Sequence, residues 1–200
     1  MGFVERLRLF FLYSIGFYGE TASNTVSETS PNGDDFLAEV ALKWEQATET
    51  AKQAGIRTVN MRTGIVLSKN GGALQKMLTP FNLGLGGIVG NGQQYMSWVS
   101  LNEMTRIIDF IIQHNDIEGP VNCVSPNAVS NKVFTKSLGQ ALSRPTLFPM
   151  PAFVAKLLFG EMADALLLTS IRVEPKKLQS MGYQFTDIDL TNTLKSIIKK

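Results

Sequence analysis

Apolar positions along the chain follow two rhythms. The first is a set of short, nearly continuous runs bounded by polar residues or glycine, the pattern of strands buried on both faces. Residues 9–17 read as such a strand, residues 57–62 as a second with Val59 and Met61 on one side, and residues 120–124 as a third. The second rhythm is helical. Asp34 or Asp35 can cap a helix in which Phe36, Val40, Trp44, Ala47 and Ala51 recur until Gly55 stops it, so that Phe36 and Trp44 are expected on a core-facing stripe. Ser100-Leu101-Asn102-Glu103 has the form of a capping box, followed by Met104, Ile107, Ile108, Ile111 and Ile112 at one-face spacing. Ser130 or Asn131 opens another helix carrying Val133, Phe134, Leu138 and Leu142.

Strand, helix and strand in alternation predict an α/β fold with a parallel sheet. From Pro145 the texture changes, with Pro149 and Pro151 bracketing a turn and short helices predicted at 152–159, 161–169, 174–181 and 189–198. The chain therefore divides into an α/β part over residues 1–145 and a small, mainly helical lobe over 146–200.

Length and composition narrow the class. With 200 residues, 44% hydrophobic and 18% charged, the chain suits a globular protein with a sizeable core. A net charge of +2, scattered along the chain, gives no argument for nucleic acid. One cysteine, Cys123, cannot form an internal disulfide, which favours a reducing, cytoplasmic setting. One cysteine and one histidine, His114, are too few nitrogen and sulfur ligands to point to a zinc site. Arg6 and Arg8 before Leu9-Phe10-Phe11-Leu12-Tyr13 mimic a signal peptide, but the apolar run is too short to span a bilayer and flows into a polar turn, so a strand is expected and no membrane association.

The polar residues with most chemical content sit where strands give way to loops. In open α/β sheets that edge is where small molecules bind. Ser14 and Arg62 stand at two such strand ends, and Gly64 follows directly. Arg62 either holds a phosphate or carboxylate in bidentate fashion or forms an internal ion pair with Glu45 or another carboxylate. Trp98, at the end of Gln94-Tyr95-Met96-Ser97-Trp98, either stacks on a ligand ring or is simply buried. The cluster Gly84, Gly86, Gly87 and Gly90 follows Pro80-Phe81-Asn82 rather than a strand, so it reads as a turn or substrate loop and not as a dinucleotide fingerprint.

A series of motifs in fixed order resembles a known family. They are Ile15-Gly16-Phe17-Tyr18-Gly19, Gly33-Asp34-Asp35-Phe36-Leu37-Ala38-Glu39-Val40, Trp44-Glu45, Arg62-Thr63-Gly64, the glycine run through Trp98, Gly119-Pro120-Val121-Asn122, Ser125-Pro126-Asn127, Pro149-Met150-Pro151-Ala152, Gly160-Glu161-Met162-Ala163, and Pro175 with Gly182-Tyr183-Gln184-Phe185. Together they cover roughly residues 10–198. The chain resembles the extended short-chain dehydrogenase/reductase superfamily (the NAD-dependent epimerase/dehydratase group), and within it the sulA-related subgroup of epimerase family proteins.

The resemblance implies the C-terminal portion of a Rossmann-like, doubly wound parallel sheet that binds NAD or NADP, with NADP favoured, and a nucleotide-sugar-like small molecule. It implies that Ser14 is the catalytic hydroxyl, that Arg62, Gly64 and Ile65 meet the cofactor, and that Tyr18, Met96, Ser97 and Trp98 face substrate. Family members open with a strand, a Gly-x-x-Gly-x-x-Gly turn and a helix, whose amides and dipole hold the cofactor pyrophosphate. No such element precedes residue 14, so the N-terminal cofactor-binding half is expected to be missing and binding by this chain alone to be weak.

The family's Tyr-x-x-x-Lys pair is also absent, since Phe36 through Lys43 contain no tyrosine four residues before a lysine. Three readings follow. The chain is the substrate-side part of an NAD(P)-dependent epimerase- or reductase-like enzyme, a noncatalytic small-molecule-binding module, or a truncated paralogue. A homo-oligomer fits any of them.

Overall fold

In the computed structural model, residues 8–147, 149–150 and 168–199 are described. The elements run β1 (Arg8–Ser14), β2 (Thr25–Val26), α1 (Phe36–Ala47), α2 (Glu49–Gln53), β3 (Arg57–Thr63), β4 (Ile65–Leu67), α3 (Gly72–Asn82), β5 (Tyr95–Met96), β6 (Trp98–Ser100), α4 (Leu101–Gln113), β7 (Gly119–Cys123), β8 (Val129–Ser130), α5 (Asn131–Leu142), β9 (Arg172–Val173), α6 (Lys176–Ser180) and α7 (Leu190–Lys199). The central sheet is parallel, in the order β1-β3-β7. Ser14 pairs with Thr63, and Thr63 with Cys123, so the C-terminal ends of all three strands lie on one edge. Among the described residues there are two further parallel pairs, β4 with β6 and β2 with β9, and an antiparallel pair, β5 with β8.

The expected strand over 9–17 ends early. The Ser14 hydroxyl accepts the Gly16 amide at 3.0 Å and turns the chain into a 3₁₀ turn, Ile15–Tyr18, closed by Gly19 at φ 62°. Nor is this strand buried throughout. Among the described residues β1 pairs only with β3, leaving an open edge with Phe11 and Leu12 exposed.

The expected core stripe of α1 faces outward. Asp35 caps the helix by accepting the Ala38 amide at 2.9 Å. The buried positions are Ala38 and Ala41, whereas Phe36 is 76% and Trp44 57% exposed. The physical reason is close packing: small alanines let the helix settle against the turn after β1, and Glu45 is drawn inward by charged and phenolic partners on the sheet.

Opposite α1, the sheet rests on α4. Val59, Met61, Val121, Ile107 and Ile111 form one core with Leu178 and Tyr183. A second core joins Leu67 and Trp98 to Phe134, Leu138, Leu190 and Leu194, so α7 packs on α5. The capping box at α4 forms only in part. Ser100 Oγ accepts the Glu103 amide, but the Glu103 carboxylate reaches away to Tyr183 and to the Thr186 and Asp187 amides, fastening the C-terminal segment to the body. The predicted helix over 152–159 and most of that over 161–169 lie outside the described residues. The later two are seen at 176–180 and 190–199.

Candidate functional site

A cleft of about 630 Å³, counted out to its open mouth, lies at the C-terminal edge of the sheet. Its floor and walls come from Ser14, Thr63, Gly64, Ile65, Met96 and Ser97, with Asp35 and Leu37 from the start of α1 on one side and Tyr95, Thr169 and Ile171 on another. Parallel pairing places Ser14 and Thr63 on adjacent rungs with their side chains on the same face of the sheet. Ser14 is exposed, and its hydroxyl, having accepted from Gly16, keeps its proton to donate.

Of the residues that sequence reasoning assigned to a site, Ser14, Gly64, Ile65, Met96 and Ser97 are brought together at this cleft. Gly64 has its own structural reason: a Cβ there would stand 2.6 Å from the Ser97 carbonyl oxygen and 2.8 Å from Val124. The close approach that requires glycine is therefore to the chain itself. Ser97 is buried; its hydroxyl donates to the Ile171 carbonyl and accepts the Val173 amide, both at 2.9 Å, and so ties β9 to the sheet.

Arg62, Tyr18 and Trp98 lie away from the cleft. The sheet's alternation puts Arg62 on the α1 face, only 3% exposed, where Nε and Nη2 donate to the two Glu45 oxygens and Nη1 donates to Tyr18 Oη. Phe17 lies beneath the guanidinium at 3.5 Å from its ring centre. With its donors so committed, Arg62 takes the internal ion-pair role in place of a ligand contact. Tyr18 donates in turn to Asn122 Oδ1 at 2.7 Å, and burial raises its pKa above the ordinary phenol value, so it is no phenolate base at neutral pH. Trp98 is fully buried in the core beside β4, and its indole N–H donates to the Asn127 carbonyl at 2.9 Å. Burial, and no stacking platform, is its place.

The helix that would carry a tyrosine and lysine brings neither to the cleft. Phe36 points to solvent, and Lys43 pairs with Glu39 at 2.6 Å on the exposed face, which lowers the Glu39 pKa and removes both from the cleft. Among the lining residues that the sequence did not assign to a site are Asp35 and Thr63. Asp35 was read as a helix cap, which it is, but it also lines the cleft. Thr63 stood inside the Arg62-Thr63-Gly64 motif without a role; its Oγ1 is buried and has no hydrogen-bond partner. Such an orphaned hydroxyl costs about 1–3 kcal/mol. The orphan supports a fit to a polar ligand group at this edge, where Ser14 and Thr63 would hold it. Thr169 and Ile171 come from a distant part of the chain, with Ile171 74 residues beyond Ser97, and no local pattern announces them.

Residues 150–197 match a domain of unknown function, DUF1731. The chain is 42% identical over 172 residues to epimerase family protein Mb2239 of Mycobacterium bovis, covering 86% of this chain and 57% of that protein. Among solved structures, that of human epimerase family protein SDR39U1 (isoform 2) with NADPH superposes at a TM-score of 0.85 with 32% identity, over 95% of this chain and 64% of the other. A nucleoside-diphosphate sugar epimerase from Corynebacterium glutamicum superposes at 0.73 with 32% identity, over 92% and 36%. The chain thus spans about three fifths of the length of the curated relatives it matches. No described helix is long and apolar enough to cross a membrane.

Proposed function

Because the chain belongs to the epimerase family of extended short-chain dehydrogenases/reductases, we propose that its cleft receives the nicotinamide end of NAD(P), with a small nucleotide-sugar-like substrate beside it. The observation that carries this reading is the convergence of Ser14, Thr63, Gly64, Ile65 and Met96 at the C-terminal edge of a parallel sheet, where this class of fold binds ligands. NADP is favoured over NAD by the human relative whose structure is described with NADPH. A sugar substrate is favoured by the Corynebacterium relative, described as a nucleoside-diphosphate sugar epimerase. When bound, NAD(P) supplies hydride transfer at its ring.

The chain's own contribution is orientation. Ser14 donates a hydrogen bond to an oxygen in the cleft, Ile65 and Ile171 give its walls apolar surface, and the Arg62–Glu45 pair fixes α1 relative to β3. A second reading, a noncatalytic binding module, draws on the outward-facing Phe36 and the Lys43–Glu39 pair, which leave no tyrosine–lysine relay on α1.

Methyl-labelled isoleucines test the common premise. NADPH added to millimolar concentration should shift Ile15, Ile65 and Ile171, which line the cleft, and leave core Ile107 in place. Ser14→Ala should weaken the effect and Lys43→Ala should not. A spectrum in which no cleft isoleucine moves rules the reading out, and equal losses from both variants remove Ser14 from its role.

A further inference from the structure

Thr63, which lines the cleft, has surroundings unlike those of the other residues with an orphaned atom. Among the described residues three buried side-chain polar atoms lack a partner: Arg57 Nη1, Asn60 Oδ1 and Thr63 Oγ1. Of these residues, Thr63 alone lines the cleft, and it is the ladder partner of Ser14. The residue is partly exposed and lines the cleft, while its hydroxyl oxygen is closed off from water. A 120° step of χ1 between staggered wells exchanges the hydroxyl with the methyl group. Because Oγ1 has no partner where it stands, that step breaks no hydrogen bond.

We infer that Thr63 is a ligand-binding residue whose hydroxyl turns into the cleft and, together with the Ser14 hydroxyl, donates to a single carbonyl oxygen of the ligand. Adjacent strands lie about 4.8 Å apart, so hydrogen bonds of about 2.8 Å from the two hydroxyls can converge on one acceptor. Ser14 has spent one lone pair on Gly16 and Thr63 has spent nothing, so both protons are available for an acceptor that carries none of its own. The carbonyl comes either from a nicotinamide carboxamide or from a substrate ketone. The inference rests on the cleft being the ligand site, though not on which of the two molecules supplies the oxygen.

The test compares wild type, Thr63→Val and Thr63→Ser in methyl spectra and in thermal melts, with nicotinamide mononucleotide and dihydroxyacetone as separate probes. The Thr63 three-bond methyl couplings should change on adding the active probe, reporting the χ1 step. Thr63→Val should bind that probe about 5- to 10-fold more weakly, the loss of one hydrogen bond. It should melt no lower than wild type, since no partner is lost. Thr63→Ser should bind as wild type does.

A Thr63→Val protein that melts several degrees lower shows a structural partner for the hydroxyl and overturns the inference, as does undiminished binding by that variant. A response to dihydroxyacetone but not to nicotinamide mononucleotide refutes the cofactor reading while upholding the hydroxyl pair. Silence from Thr63 with both probes refutes the pair, and the isoleucine shifts with NADPH then decide the cofactor reading separately.

Discussion

Arg62 and Glu45 meet through two hydrogen bonds, 2.9 Å from Nε and 2.8 Å from Nη2, with the arginine side chain 3% and the glutamate 15% exposed. The pair joins β3 to α1 and, through Tyr18 and Asn122, continues to β7. An arginine near the end of a strand whose next residues line the cleft thus works for the fold.

Removing the carboxylate leaves a buried guanidinium without its counter-charge, which typically costs about 3–5 kcal/mol. Glu45→Ala should therefore lower stability by about 3 kcal/mol in urea titrations. Where the variant is still folded, cleft ligands should bind within about twofold of wild type. A large loss of affinity without loss of stability would return Arg62 to the ligand.

Glu103 governs the acid limit of stability. Burial works to raise its pKa, but hydrogen bonds from Tyr183, from the Thr186 and Asp187 amides and from the Thr186 hydroxyl outweigh it and hold the pKa below the ordinary value of 4.5. A carboxyl whose folded pKa is depressed contributes stability that is fully present above its unfolded pKa and disappears as pH falls through the folded one. Urea midpoints should thus hold from pH 7 to about 5 and decline below about 4.5. In Glu103→Gln the midpoint should be lower at pH 7 and its decline with acid shallower; parallel pH curves for the two proteins would show that Glu103 does not set this limit.

The edge of β1 that has no partner strand among the described residues and the outward stripe of α1 expose Phe11, Leu12, Phe36, Leu37 and Trp44. Open strand edges and contiguous apolar surface invite association. Sedimentation velocity at low micromolar concentration should show self-association of the 200-residue chain. Leu12→Lys together with Trp44→Glu should shift it toward monomer. A monodisperse wild-type monomer with a sharp cooperative melt would mean that this surface is tolerated as it stands.

Asp35 caps α1 and lines the cleft at once. Loss of a side-chain cap costs about 1 kcal/mol. Asp35→Ala should lose about that much, and Asp35→Asn, which can still accept the Ala38 amide, much less. If both variants melt alike with no loss, the cap contributes nothing here.

What the sequence determined by itself was local. Val59 and Met61 on one side of a strand, Ser100 as a helix cap, caps narrowed to Asp34 or Asp35 and to Ser130 or Asn131, and Met104, Ile107 and Ile111 on one helix face all follow from short-range periodicity and hydrogen-bonding chemistry. So did the collection of Ser14, Gly64, Ile65, Met96 and Ser97 at one edge, because strand ends and family motifs mark that edge. The tertiary structure decided the rest. Whether Arg62 faced a ligand or Glu45 depended on which face of β3 α1 would cover, and the Phe36–Trp44 stripe faces solvent because Ala38 and Ala41 are the residues small enough to pack inward. Thr63 became a candidate only once parallel register set it beside Ser14, and Glu103 left its capping box for partners some eighty residues on. Periodicity says which residues share a face; only packing between distant segments says what that face meets.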